Sequence, residues 1–205
     1  MKVITHLKVQ VKNKKRVSVY LDGAYFCGLD LATVMLNRLK EGMAIEEGEL
    51  VKLQLESEQT TAFDKALKFI ERSVKTERAV REKLRSYGYV DEVISTVIEK
   101  LKGYNFIDDK NYAERYVNTY SKHKGKRLIK AELKQKGVSD SDANFALNEI
   151  ENELESAINL AKKYSKNKEN IEKNYAKCYK YLLSKGFSYE DSITATKQAF
   201  NTDEI

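Results

Sequence analysis

Three glycines, Gly88, Gly137 and Gly186, recur at one fixed interval of 49 residues. Each closes a segment of the same design: TERAVREKLRSYGY from Thr76, GKRLIKAELKQKGV from Gly125 and NYAKCYKYLLSKGF from Asn174. The same offset aligns Leu84, Leu133 and Leu182, then Val80, Ile129 and Cys178, then Tyr89, Val138 and Phe187. It also aligns Thr76, Gly125 and Asn174, all residue types accepted at a helix N-cap. An interval of this size, matched at cap, core and terminator together, marks one supersecondary unit copied along a chain.

Each copy reads as a capped helix of about three turns. Positions four apart share a helix face, so the branched residue and the leucine serve one core. Glycine enters the left-handed conformation at little cost and stops the helix, and the apolar residue behind it can close over the last turn. A following helix is predicted from Asp91 (Val93, Ile94, Val97, Ile98, Leu101), from Ser139 (Ala143, Ala146, Leu147, Ile150) and from Ser188 (Ile193, Ala195, Ala199). A preceding one is predicted around Ala66, Leu67, Phe69 and Ile70, around Tyr112, Ala113, Tyr116 and Val117, and around Ala157, Ile158, Leu160 and Ala161. Three-helix units are therefore expected at 59–107, 108–153 and 154–205. The 205 residues include no proline, so boundaries rest on Gly, Ser, Thr, Asn and Asp.

The first 58 residues differ. Val9 and Val11, then Val17, Val19 and Leu21, alternate with polar residues across a basic turn from Lys12 to Arg16, which predicts an antiparallel hairpin. Asp22-Gly23 supplies a second turn before Tyr25, Phe26 and Cys27, so a sheet of two or three strands is expected. Asp30 can cap a helix carrying Leu31, Val34, Met35 and Leu39, with Gly42 just past its end. An isolated hairpin is marginal, so this helix is expected to pack on the sheet, or the unit to dock on the helices C-terminal to it. The expected fold class is mainly α: three tandem three-helix repeats in an elongated array, preceded by a small β-hairpin plus helix unit at 1–58. Such an array offers long exposed faces and favours a long partner over an enclosed small substrate.

Chemistry-bearing residues are scarce. His6 and His123 are the only histidines; His123, within Lys122-His123-Lys124, reads as a solvated loop residue. Cys27 and Cys178 have no partners at zinc-site spacing, and Cys178 fills the core slot of Val80 and Ile129. Two cysteines are too few for a disulfide scaffold, and the first residues lack an apolar run with a small-residue cleavage site, so a reducing cytoplasm is expected. No stretch approaches the roughly 18 apolar residues of a membrane span, and no membrane partner is expected. Gly125-Lys126-Arg127 lacks the glycine-rich loop and leading strand of a phosphate-binding loop. Asp108-Asp109 precedes a helix, where acids complement the N-terminus. No catalytic residue, metal ligand or cofactor is expected, and the chain does not read as an enzyme.

Charge placement is more informative. Lys+Arg 37 against Asp+Glu 31 leaves a formal net charge of +6. Lys122, Lys124, Lys126, Arg127, Lys130, Lys134 and Lys136, opposed by Glu132 alone, carry that whole excess between residues 122 and 136. At about 100° per residue, Lys126, Arg127, Lys130 and Lys134 share one arc opposite Leu128, Ile129 and Leu133. Arg78, Arg81 and Arg85 form a weaker set in the first copy, diluted by Glu77 and Glu82. Such faces contact phosphates, an acidic protein wall, or water alone. Tyr104, Tyr112, Tyr116 and Tyr120 lie nearby; at least half are expected in or against the core, although an exposed one could stack on a base.

These residues together resemble the RecX family of regulatory proteins. The resemblance covers nearly the whole chain. It is carried by Val19-Tyr20-Leu21-Asp22-Gly23, by Glu77 to Leu84 with Gly88-Tyr89, and by Phe106-Ile107-Asp108-Asp109 leading into Tyr112-Ala113 and Tyr116-Val117. Gly125 with Arg127, Glu132-Leu133, Lys136-Gly137, Tyr181-Leu182-Leu183 and Gly186-Phe187-Ser188-Tyr189 complete it. Many members place proline after the repeat-two glycine, where this chain has Lys126. The resemblance implies a non-catalytic modulator of the RecA recombinase in homologous recombination, DNA repair and the SOS response. Such proteins bind along the groove of the RecA filament on single-stranded DNA, block its extension or promote its disassembly, and lower strand exchange and ATP turnover. The expected partners are the RecA filament and, by weak direct binding, single-stranded DNA, with the chain acting as a monomer. Carried onto this sequence, the candidate filament- or DNA-binding residues are Lys124, Lys126, Arg127, Lys130 and Lys134, followed by Arg78, Arg81 and Arg85. The alternative is a stand-alone helical DNA-binding protein or transcriptional regulator. A groove reader should repeat its basic face, whereas Lys126 and Arg127 correspond to Tyr175 and Ala176 in the third copy.

Overall fold

Alternating side chains at the N-terminus build a sheet before any helix. A computed structural model describes residues 1–166 and 171–201. Strands β1 (Lys2–Gln10), β2 (Asn13–Leu21), β3 (Ala24–Asp30) and β4 (Ala44–Ile45) form an antiparallel sheet in the order β3-β2-β1-β4. Ile4, Val17, Val19, Leu21, Cys27 and Leu29 bury one core. The sheet has four strands rather than two or three. The first turn is only Val11-Lys12, and the basic segment from Asn13 belongs to β2. Val11, in that turn, is 96% exposed, and Val9 near the end of β1 is also exposed.

Helix α1 (Leu31–Leu36) starts at Asp30, whose carboxylate accepts from Ala32 N–H at 2.9 Å. It ends earlier than the Gly42 stop expected from the sequence. The Asn37 side-chain amide donates to the Thr33 carbonyl, Arg38 takes the left-handed conformation, and Leu39 folds back into the core beyond the helix. Gly42 instead turns the chain into β4, donating to the Ile4 carbonyl at 2.8 Å.

The next helix, α2 (Glu47–Ile70), runs 24 residues across the expected boundary at 58. No glycine or proline interrupts it after Gly48. Leu50 and Leu53 pack into the sheet core, whereas Ala62 and Ala66 pack into the next. That second core adds Val80 and Leu84 of α3 (Glu77–Ser86), and Val93, Ile94, Val97, Ile98 and Leu101 of α4 (Asp91–Gly103). The second repeat comprises α5 (Asp109–Tyr120), α6 (Lys126–Gln135) and α7 (Asp140–Asn148). The third comprises α8 (Glu153–Ser165), α9 (Ile171–Ser184) and α10 (Tyr189–Phe200). The fold is mainly helical, with three tandem three-helix units behind a strand region and helix. Residues 202–205, placed by the sequence in the third repeat, lie outside the described residues.

The copied terminator is the same three times. Gly88, Gly137 and Gly186 have φ of +84°, +86° and +87°. Their N–H groups donate to Arg85, Lys134 and Leu183 carbonyls at 2.9–3.0 Å, and the following residues donate to Leu84, Leu133 and Leu182 carbonyls at 3.1–3.4 Å. This is a Schellman closure, in which the apolar residue after glycine covers the leucine one turn back. Val80, Ile129 and Cys178 are all fully buried. Ser139 and Ser188 cap their helices as expected, accepting from Asp142 and Asp191 N–H groups. Asn174 does not cap: α9 starts at Ile171, through residue types with no bar to helix, and encloses it. Ile193 is 42% exposed, so α10 faces the core through Ala195 instead.

Two compact units are present, Met1–Val74 with Val80–Ile107, and Lys75–Ala79 with Asp108–Ile205. Inside the second, the copied motif also supplies joints. Thr76 Oγ1 donates to the Lys136 carbonyl at 2.8 Å; one interval later, Gly125 N–H donates to the Lys185 carbonyl at 2.9 Å. Asp109 accepts from Glu77 N–H, and Glu153 from Lys126 N–H, both at 2.8 Å. Gly125 lies so close to the Gly186 carbonyl that a Cβ would overlap it, and a Cβ on Gly186 would overlap Leu128. Around Gly88 nothing among the described residues lies within 4 Å of such an atom. Gly88→Ala should therefore cost only the left-handed strain, about 1–2 kcal/mol. Gly186→Ala should cost clearly more, because its joint must also open; urea unfolding of the two variants followed by circular dichroism measures the difference.

Candidate functional site

Helix α6 turns Ile129 and Leu133 into the core and its cations outward. Arg127 and Lys134 are exposed, whereas Lys126 and Lys130 are half-buried, so the predicted arc is exposed only in part. Among the described residues, Lys126, Lys130 and Lys134 make no ion pair. The Arg127 guanidinium stands 5.5 Å from the Tyr189 ring centroid, a cation–π contact to the third repeat.

Lys124 behaves differently. Its ammonium contacts both Glu132 oxygens at 2.6 and 2.8 Å and lies 4.4 Å over Tyr120; the two charged side chains are 22% and 25% exposed. Tyr116 donates its hydroxyl to Glu132 at 2.8 Å, and Lys136 lies 5.5 Å over Tyr116. Burial raises the Glu132 pKa, but hydrogen bonds from Lys124 and Tyr116, with the Lys124 and Lys136 charges, outweigh it and hold the carboxyl below its usual 4.5. Burial and the same carboxylate push the Tyr116 phenol far above its ordinary value. This network ties α5 to α6 and makes Lys124 a strut within the second repeat.

The weaker set is divided. Arg81 donates to Ser95 Oγ at 3.2 Å and Arg85 pairs with Asp91 at 3.0 Å, both in the first unit. Arg78, exposed, lies in the second, its stem beside Gly137. Of the four tyrosines only Tyr104 is largely exposed; Tyr112, Tyr116 and Tyr120 form a half-buried row with centroids 6.0 and 4.4 Å apart. Asp108 caps α5 through Asn111 N–H. Both cysteines are buried, and burial pushes the Cys27 thiol up to about 11. Among the described residues no cluster of three or more His, Cys, Asp or Glu could hold a metal ion, and no helix is long and apolar enough to cross a membrane. Sequence reasoning missed Lys162, Lys163 and Lys166 of the third repeat, which share a concavity with Lys122 and His123. Lys162 and Lys163 in the last turn of α8 and Lys166 just past its end are close together in the sequence, but the approach of residues forty positions earlier is not visible there.

Four family models match in chain order: the regulatory protein RecX N-terminal domain at 2–46, and the first, second and third RecX three-helix domains at 62–101, 108–147 and 151–192. The chain belongs to the RecX family. The regulatory protein RecX of Clostridium botulinum is 38% identical over 207 residues, covering 98% of each chain. That of Clostridium tetani is 39% identical over 206 residues, covering 98% of this chain and 95% of the relative. A crystal structure of regulatory protein RecX superposes with a TM-score of 0.69 at 27% identity, covering 99% of this chain and 100% of that one. RecX from Lactobacillus salivarius gives 0.63 at 32% identity, over 69% of this chain and 96% of that one. RecX relatives are named as regulatory proteins, and a regulator is the role this membership supports.

The lowered Glu132 pKa sets a pH dependence. A carboxyl depressed in the folded state contributes stability that is complete above its unfolded value and is lost as pH falls through the folded one. Glu132→Gln should therefore destabilise the chain by about 1–2 kcal/mol at neutral pH. Urea titrations should show this gap closing below about pH 4.

Proposed function

We propose that the chain is a non-catalytic regulator of homologous recombination that binds the RecA filament on single-stranded DNA and inhibits its extension, ATPase and strand exchange. The observation that carries this reading is the α6 face, where Lys126, Lys130 and Lys134 make no ion pair among the described residues while Ile129 and Leu133 anchor the helix. Such cations on a fixed helix suit an extended acidic or phosphate-bearing partner, because no internal pair must break before they engage. Arg127 extends the face, and Arg78 lies in the same unit. Lys124 acts in support, by fixing the end of α5 against α6 through Glu132. The chain works as a cytoplasmic monomer, with a face built on one copy of its repeat.

Reversing Lys126, Arg127, Lys130 and Lys134 to glutamate should abolish inhibition of DNA-dependent ATP hydrolysis by the recombinase while the circular dichroism spectrum stays unchanged. A folded variant that inhibits fully removes α6 from the interface. Tight, sequence-specific duplex binding by the unaltered chain at moderate salt would instead favour a stand-alone DNA reader.

A further inference from the structure

A second basic surface lies in the same unit. A concavity of about 650 Å³ is lined by Lys122 and His123, just beyond α5, and by the outer face of α8. Lys162, Lys163 and Lys166 line it with Lys122, against the single carboxylate of Glu155. All four lysines are exposed, and among the described residues none makes an ion pair. Lysines in the last turn of a helix complement its negative end, which accounts locally for Lys162 and Lys163. It does not account for Lys122 and His123, which come from a different element and converge on the same hollow.

We propose that this concavity binds the phosphodiester backbone of a nucleic-acid strand. The lining chemistry favours that partner over an acidic protein. Protein interfaces draw their affinity from buried aromatic or apolar anchors, and none of the eight lining residues is apolar. A phosphate chain needs no such anchor, because displaced counterions drive its binding to lysine point charges. Ser156, Asn159 and His123 add hydrogen-bonding groups for phosphate and sugar oxygens. Among the described residues no Phe, Tyr or Trp ring lines the hollow, so its contacts go to the backbone and not to stacked bases. The proposal does not rest on the filament reading, because nucleic acid alone tests it.

The experiment titrates the full chain into a labelled oligothymidine strand, reading anisotropy at several salt concentrations without recombinase. Replacing Lys162, Lys163 and Lys166 together by glutamine should weaken binding about tenfold at low salt and reduce the slope of log K against log salt by about 2. Glu155→Gln should tighten binding several-fold, a gain that no folding defect produces. Unchanged affinity and slope in the triple variant overturn the proposal, as does a failure of the unaltered chain to bind. It is also overturned if the triple variant keeps DNA but loses polyglutamate, or if the α6 reversal alone removes DNA binding.

Discussion

A helix must stop somewhere, and its last four carbonyls then need donors. In this chain glycine at φ near +85° bends the backbone so that two N–H groups return to the carbonyls of the last turn. The bend places Tyr89, Val138 or Phe187 over Leu84, Leu133 or Leu182, whose burial is the largest local contribution; truncating such a leucine typically costs about 2–5 kcal/mol. In the second unit the same turn has another use. Lys136 and Lys185, just before the glycines, point carbonyls at Thr76 and Gly125, so one backbone feature both ends a helix and receives its neighbour.

That double use explains what the sequence could and could not reveal. Every residue of the terminator is constrained by its own repeat, so the interval is legible from one chain. Gly125 is legible as a helix boundary but not as a close approach, because the atoms it would strike belong to Gly186, sixty-one positions later. The sequence pattern places the start of α2 too late for another reason: the helix serves two cores with short side chains, Ser57, Ala62 and Ala66 beyond Leu53, and small residues leave a faint periodic signal. The early end of α1 depends on Asn37 reaching back to Thr33, a choice that competes with further helix and that no pattern announces.

The basic stretch shows the same division. Its seven cations form one patch in the sequence, yet they serve three purposes. Lys124 and Lys136 are held by Glu132 and Tyr116, Lys122 faces α8, and Lys126, Arg127, Lys130 and Lys134 remain on α6. A helical wheel separates the last group, because all four lie on one element. It cannot separate Lys124, whose partner is eight residues away across a helix boundary, or Lys122, whose neighbours belong to the next repeat.

Position along α6 makes its cations unusual. Positive side chains belong near the negative C-terminal end of a helix, and acids near its start. Helix α3 obeys this with Glu77, and α7, α8 and α10 each begin with two acids. Helix α6 begins with Lys126 and Arg127 and has no acid in its first turn. The missing charge comes from outside: Glu153 of α8 accepts the Lys126 N–H, even though burial raises its carboxyl pKa. Arg127 finds the Tyr189 ring. Helix α6 thus departs from the local electrostatic rule that α3, α7, α8 and α10 obey, and two residues of the next repeat, Glu153 and Tyr189, supply what its own first turn lacks.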